Sequence, residues 1–289
     1  MAEPGLLLIR GLGHSGSTIL DLALGAHPQV IGLGEAVRIL DRPRAGEEHK
    51  GPQQLRGALQ FERRCTCGAL AGDCPVWGPV LAWLPEHDEC PLAEKINRLA
   101  QPLSSASPSW LVESFQADEQ LLQAQALGRP LRVIQLTRDV RSWVHSESRR
   151  GVERHGRGRG VGWRSLLRWW RVNRRWEQRL NRSGFEVFRL GYEELALAPE
   201  QALRQLCAWL EIAFDPAMLQ PGLNSSSHIV SGNRMRFDPG HSQAIRYDAA
   251  WLSSPALSLR LAPLLPAVAR LNRRLVYGNG LLGRVWPSA

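Results

Sequence analysis

Apolar residues along the chain fall into short blocks separated by amphipathic stretches. Residues 5–10, GLLLIR, form a near-continuous apolar run that ends in a glycine loop. That is the pattern of a strand buried on both faces of a parallel sheet. WLVESF (110–115), LRVIQL (131–136) and FEVFRL (185–190) repeat it. Between these blocks the period changes. In GSTILDLALGA, Ile19, Leu22, Ala23 and Ala26 recur at helical spacing, and His27-Pro28 ends the pattern. Helical periodicity returns at 118–128, closed by Gly128, and at 139–149, 163–182 and 199–211. Pro199 stands in the first turn of the last, where proline is tolerated. Residues 247–277 read as helical and are expected to pack on the sheet. Strands alternating with helices predict an α/β fold, a three-layer domain with a central parallel sheet flanked by helices and right-handed crossovers.

Two segments interrupt the alternation. Residues 41–108 are rich in Pro, Gly and Cys and carry no strong strand. They read as an insertion over one face, which leaves residues 1–289 as a single domain. RRGVERHGRGRGVG (149–162) reads as a mobile glycine-arginine loop. Within 163–182, Trp163, Leu166, Leu167, Trp170 and Leu180 are expected to form a core ridge. Trp169 and Trp176 are then left as candidate lining of a ligand pocket.

Composition adds bounds. The chain has 289 residues, 44% of them hydrophobic, enough to bury a proper core. The formal net charge of +9 suits an anionic partner. Lysine occurs only at Lys50 and Lys95, however, so an arginine-rich codon bias explains the charge equally well. No apolar run approaches the roughly 20 residues of a membrane span. MAEPG at the N-terminus lacks the pattern of a signal peptide, so a cytoplasmic protein is expected. Of five cysteines, Cys207 lies in a helical pattern and reads as core. Cys65, Cys67, Cys74 and Cys90 follow the spacing C-x-C-x6-C-x15-C. Four thiolates are the right number for zinc, although the spacing is not that of a standard finger, and free thiols are the alternative.

The most informative stretch is GLGHSGSTIL, residues 11–20. It lies between a strand and a helix and begins as a G-x-x-x-x-G-K-[ST] phosphate-binding loop does. Gly11, Gly16 and Thr18 are in place, but Ser17 stands where the lysine belongs. Such a turn offers backbone N–H groups and the positive end of a helix dipole to an anion. Ser15, Ser17 and Thr18 add hydroxyls. Without the lysine, and with no clear acidic strand end to hold magnesium, a triphosphate is poorly served. A nucleotide with one 5′ anion, bound without metal, fits better. A second anion site is readable in RDVRSWVHSESRR, 138–150. Arg138 follows a strand, where ligands of α/β sheets bind, and Ser142, Ser146 and Arg150 recur on one helix face. A solvated basic helix would show the same pattern.

Taken together, the two sites resemble those of the sulfotransferases that use 3′-phosphoadenosine 5′-phosphosulfate (PAPS). In that family a turn like HSGST binds the 5′-phosphosulfate, and an arginine and a serine eight positions on, here Arg138 and Ser146, bind the 3′-phosphate. R-D-x-R-x-x-V-H-S-x-x-x-R, Arg138 to Arg150, is similar to tyrosylprotein sulfotransferases. CTCG…CPVW and HIVSGNRMRF are similar to bacterial sulfotransferases. The resemblance implies donor contacts from Gly13, His14, Ser15, Gly16, Ser17, Thr18, Arg138, Ser146, Arg150 and Tyr192. It also implies them from Asn233, Arg234 and Arg236, in a loop closing over the donor. It implies Glu35, in HPQVIGLGEAVRI, as general base; His228, before the GNRMRF loop, is a rival base by its position alone. His14 stands where the family usually has arginine or lysine to meet charge on the leaving phosphate. The implied acceptor is a hydroxyl on a small molecule, sugar or lipid rather than a secreted protein. Neither nucleic acid nor a catalytic metal is expected. Two other functions fit parts of the chain: a P-loop kinase or NTPase, and an Arg- and Trp-rich nucleic-acid-binding protein.

Overall fold

The computed structural model describes residues 4–41, 55, 57–106, 108–116, 128–155 and 161–281. Five strands, β1 (Gly5–Gly11), β2 (Val30–Gly32), β3 (Trp110–Glu113), β4 (Leu131–Thr137) and β5 (Glu186–Gly191), form one parallel sheet in the order β2-β3-β1-β4-β5. Gly5 pairs with Trp110 and Leu8 with Glu113, while Val30 takes the other edge of Trp110. Every residue of β1, β2 and β3 is buried, which is why their sequences are apolar throughout rather than alternating. The expected α/β architecture with helices flanking a parallel sheet is therefore what the chain adopts. The three-residue β2 is too short for periodicity to identify alone.

Contacts within the chain group it into two compact units. The first comprises Met1–Arg10, Thr18–Val133 and Asp215–Ala244. Helix α1 (Ser17–Gly25) is buried from Ile19 onward and leads to β2. The described part of 41–108 is made of turns and short helices, among them α3 (Trp77–Trp83) and α4 (Leu92–Ala100), after the short α2 (Val37–Leu40). Trp77 is wholly buried, and its indole N–H donates to the His228 carbonyl at 2.6 Å. Lys95 is buried as well, its ammonium donating to the carbonyls of Leu40 (3.1 Å) and Asp88 (2.7 Å). This segment thus has packed and satisfied interior positions of its own.

The second unit comprises Gly11–Ser17, Ile134–Phe214 and Ile245–Ala289. Its helices include α5 (Val140–His155), α6 (Val161–Arg182), α7 (Tyr192–Leu197), α8 (Pro199–Leu210) and α9 (Pro266–Val276). Leu12, Val140, Trp143, Val144, Leu166, Trp169, Leu271 and Leu275 share one core, and α9 packs against β5 as expected of the C-terminal part. Two expectations are corrected. Helix α5 continues through Gly151 to His155, so the first half of the expected glycine-arginine loop is helix; residues 156–160 lie outside the described residues. The buried face of α6 is Leu166, Trp169, Asn173, Trp176 and Leu180, at i+3 and i+4 steps, while Trp163 and Leu167 are 44% and 41% exposed. Trp169 and Trp176 are core residues, not pocket lining. With apolar residues on adjoining faces, spacing alone admits either stripe. The expected helix at 118–128 falls on residues outside the described ones, apart from Gly128.

Candidate active site

The glycine-rich turn opens on backbone geometry that few residues adopt. His14 has φ +69° and Gly16 φ +96°. Turns of this kind aim successive N–H groups at an anion, and α1 begins directly after with its own unpaired N–H groups. A left-handed φ at a non-glycine residue carries strain that the surroundings must hold. Here the Trp143 indole N–H donates to the Gly13 carbonyl at 2.9 Å, and the Ser15 N–H to the Leu12 carbonyl at 3.2 Å. A Cβ added to Gly16 would lie 2.3 Å from the Tyr192 ring, so glycine is required there by space as well as by φ. Ser15 is buried; Ser17 and Thr18 are half-buried and begin α1.

Arg138 leaves the end of β4 and is largely buried. Its Nε donates to Ser142 Oγ at 2.8 Å, Nη1 to the His14 carbonyl at 3.1 Å, and Nη2 to the Asp248 carboxylate. Its guanidinium carbon lies 5.2 Å from the centre of the Tyr192 ring, and the Tyr192 hydroxyl donates to the Arg246 carbonyl at 2.8 Å. Gly13, His14, Gly16, Arg138 and Tyr192 are thus brought together. The serine that touches Arg138 is Ser142; Ser146 stands half-buried on α5 four residues beyond it. The Arg150 side chain lies outside the described residues. His145 senses the charges of Asp248, Arg149 and Arg138, and burial first, then these two arginines, hold its imidazole below the usual range.

Asp139, directly after Arg138, is itself held from several sides, which the sequence did not reveal. Its carboxylate accepts from Arg141 Nε and Nη2 (2.9 Å each), Asn272 Nδ2 (2.9 Å) and the Tyr277 hydroxyl (2.9 Å). Burial opposes its charge most strongly, but the Arg141 bonds and charge together with the Asn272 bond outweigh it and hold the carboxyl below its usual range. The Asp139 N–H donates to Glu193 Oε2 at 2.8 Å.

In the other unit, Glu35 sits on a tightly held turn. Gly34 has φ +66°, and a Cβ there would meet Ile229 and the Ser231 carbonyl at 2.5 Å. The Gly34 N–H donates to Asp21 Oδ2 (3.1 Å), the Glu35 N–H to the Ser231 carbonyl (3.0 Å) and the Val37 N–H to Glu113 Oε1 (3.4 Å). Burial pushes the Asp21 carboxyl up to about 8. Glu113 is paired with Arg10 at 2.8 Å, both wholly buried. β3 therefore does end in an acid, contrary to the sequence reading, but its carboxylate is committed to Arg10 and two backbone N–H groups. The Glu35 carboxylate is three-quarters buried and meets Arg38 Nη1 at 2.7 Å.

Asn233 and Arg236 shape their own loop. Asn233 Oδ1 accepts the Met235 N–H at 3.1 Å, and Arg236 donates to the carbonyls of Val230 (2.9 Å), Gly232 (2.8 Å) and Asn233 (2.9 Å). Arg234 is exposed. Burial, with Arg63 nearby, pushes the Arg236 guanidinium down to about 10, and Glu35 and Cys65 act on it in the opposite sense.

The cysteine set is corrected in one member. Cys74 Sγ lies 3.7 Å from Cys65 Sγ, 3.8 Å from Cys67 Sγ and 3.3 Å from His228 Nδ1. These four donor atoms all lie within 4.8 Å of one another. Cys90 is not of this group; its thiol is beside Glu94, and burial first, then Glu94, raise it. His228, weighed as a rival base, is engaged with the thiols instead. A histidine 154 residues from Cys74 is invisible to spacing rules.

The fold is similar to the sulfotransferase domain of the Synechococcus PCC 7002 olefin synthase, at 20% identity and a TM-score of 0.51, covering 94% of this chain and 95% of that one. It is likewise similar to the sulfotransferase domain of the curacin biosynthetic pathway, at 19% identity and a TM-score of 0.51, covering 95% and 98%. No curated protein sequence matches the chain. Among the described residues no helix is long and apolar enough to cross a membrane. The sequence profile of the sulfotransferase family matches residues 6–216, most of the chain, and the protein belongs to that family.

Proposed function

We propose that the protein transfers the sulfuryl group of PAPS to a hydroxyl of a small molecule, sugar or lipid. Family membership supports sulfuryl transfer, and the neighbourhood of Arg138 supports the donor. A strand-end arginine bonded to the His14 carbonyl ties a cation to the glycine-rich turn, so two anion-binding elements serve one ligand. Among the described residues, three of the guanidinium's five N–H donors are engaged, and the other two would serve a phosphate.

The donor supplies a sulfur bound through a bridging oxygen to the 5′-phosphate. The acceptor oxygen forms a bond to that sulfur as the sulfur–bridging-oxygen bond breaks, and the bond's electron pair remains on the phosphate. Glu35 takes the acceptor's proton. His14 and the N–H groups of the turn, with Ser15, Ser17 and Thr18, meet the charge gathered on the departing phosphate. Arg138, with Ser146 and Arg150 further along α5, holds the 3′-phosphate, and Tyr192 lies against the nucleotide. Asn233 and Arg234 add contacts from a loop that Arg236 braces.

A ligand that binds only the folded state stabilises it, by about 2.7 kcal/mol at 100 times its dissociation constant. The product 3′-phosphoadenosine 5′-phosphate should therefore raise the melting temperature well above what AMP does. Arg138→Ala should erase most of that difference. Equal shifts from the two nucleotides on the unaltered protein would remove the 3′-phosphate site. PAPS incubation with a metabolite extract, read by mass spectrometry for sulfated products, identifies the acceptor.

A further inference from the structure

Three cysteines and a histidine converge in the first unit for a reason the sulfuryl-transfer chemistry does not supply. Cys65 and Cys74 are buried, Cys67 is exposed and His228 half-buried. The sulfur–sulfur separations of 3.7 and 3.8 Å are far from a disulfide bond of about 2.05 Å. They do match the edge of a tetrahedron around zinc. A zinc–sulfur bond of about 2.3 Å gives a sulfur–sulfur edge of about 3.8 Å, and a zinc–nitrogen bond of about 2.0 Å gives a mixed edge of about 3.5 Å. Any disulfide among the three would also strand the third cysteine.

We propose that Cys65, Cys67, Cys74 and His228 Nδ1 bind one zinc ion as a closed, four-ligand structural site. Thiolate-rich donors in tetrahedral arrangement suit zinc among the common divalent ions. Three thiolates, one neutral imidazole and a divalent ion carry a net charge of −1. Arg236, whose guanidinium donates to the carbonyls of Val230 and Gly232 just after His228, would supply a compensating charge.

The surrounding hydrogen bonds show what such an ion would hold. The Thr66 hydroxyl donates to the Ser227 carbonyl and accepts the Ile229 N–H at 2.8 Å. The His228 N–H donates to the Gly32 carbonyl at 2.7 Å, and three residues on the Ser231 carbonyl receives the Glu35 N–H. Residues 227–236 are thus laced on one side to the cysteine loop and on the other to the Gly32–Glu35 turn. A metal at His228 would pin this segment where it supports Glu35 and the Asn233 loop. Metal content does not depend on whether Glu35 is the base, so the two readings fail separately.

The test uses the full chain, kept reduced. Elemental analysis after zinc addition and dialysis should find one zinc per chain, and zinc X-ray absorption should report three sulfur neighbours and one nitrogen. Cobalt in place of zinc should give thiolate charge-transfer bands and the intense visible bands of a tetrahedral site. Cys67→Ser, at an exposed thiol, and His228→Asn should lose stoichiometric metal, whereas Cys90→Ser should keep it. Absence of bound zinc in the reduced wild-type protein would overturn the proposal. So would a four-sulfur shell, or loss of metal in Cys90→Ser with retention in His228→Asn. The first two readouts use the unaltered protein, so a variant that fails to fold leaves the test intact.

Discussion

At the scale of single residues, function in this protein rests on side chains whose neighbours prescribe one geometry. The Glu35 carboxylate is oriented by Arg38, and its backbone by Asp21, Ser231 and Glu113. If it accepts the acceptor's proton, Glu35→Gln keeps the shape but removes the base. General-base catalysis contributes about 10²- to 10⁴-fold. Turnover in Glu35→Gln should fall by that order, while affinity for 3′-phosphoadenosine 5′-phosphate by titration calorimetry stays within a few-fold. Normal turnover in this variant would assign Glu35 to the fold alone, since its turn is already well braced. Ser142 is the residue that the anion-site reading underweighted. It lies on the predicted face with Ser146, but only the folded helix shows which serine the arginine side chain reaches.

At the scale of elements, the anion site proposed for the β1–turn–α1 unit requires a turn that is both left-handed and closely covered. Gly16 meets both demands at once, with φ +96° and the Tyr192 ring where a Cβ would go. In Gly16→Ala, overpacking costs about 1–3 kcal/mol and the strained φ a similar amount. The melting temperature should drop, and the ring of Tyr192 must move or the turn must open. Nucleotide affinity should fall in the same variant, measured by calorimetry at a temperature where circular dichroism shows it folded. Retained affinity and stability together would show that the turn relaxes freely, contrary to the packing seen here. The cysteine loop is a different kind of element, organised around side-chain donors rather than periodic burial. Periodicity accordingly reported it only as an interruption.

At the scale of the whole molecule, buried carboxyls set the pH dependence of folding. Burial raises Asp21 from 3.8 to about 8 and Glu193 from 4.5 to about 8. Between those limits the folded protein keeps protons that the unfolded chain has released. Stability is therefore fully present below the lower values and is lost as pH rises toward 8, by about 1.4 kcal/mol per pH unit for each such proton. Asp139 acts oppositely, losing stability in acid, so the measurement belongs above pH 5. Urea unfolding at pH 5, 6, 7 and 8 should show falling stability. Asp21→Asn, which still offers the Gly34 N–H an acceptor, should flatten that slope by about one proton. Identical slopes in the two proteins would mean that Asp21 is not the group that titrates.

The class of fold and the proposed anion-binding elements are both readable in the sequence. Both are local properties. Apolar runs mark buried parallel strands, helical spacing marks what covers them, and a glycine-rich turn between the two announces itself in consecutive residues. Arg138 is legible for the same reason, as the residue directly after a strand. The tertiary structure decided everything that depends on residues distant in the chain. It showed Glu113 committed to Arg10 103 residues away, Asp139 held by Asn272 and Tyr277, and His228 in place of Cys90 beside the thiols. It also chose which stripe of α6 is buried, because several apolar stripes satisfy one helical period and the surfaces packed on it, from α5, α9 and Leu257–Leu261, select among them. Burial, and with it the proton affinity of Asp21, belongs to the same class: it is set by how many neighbours the folded chain brings to a carboxyl, which no local spacing records.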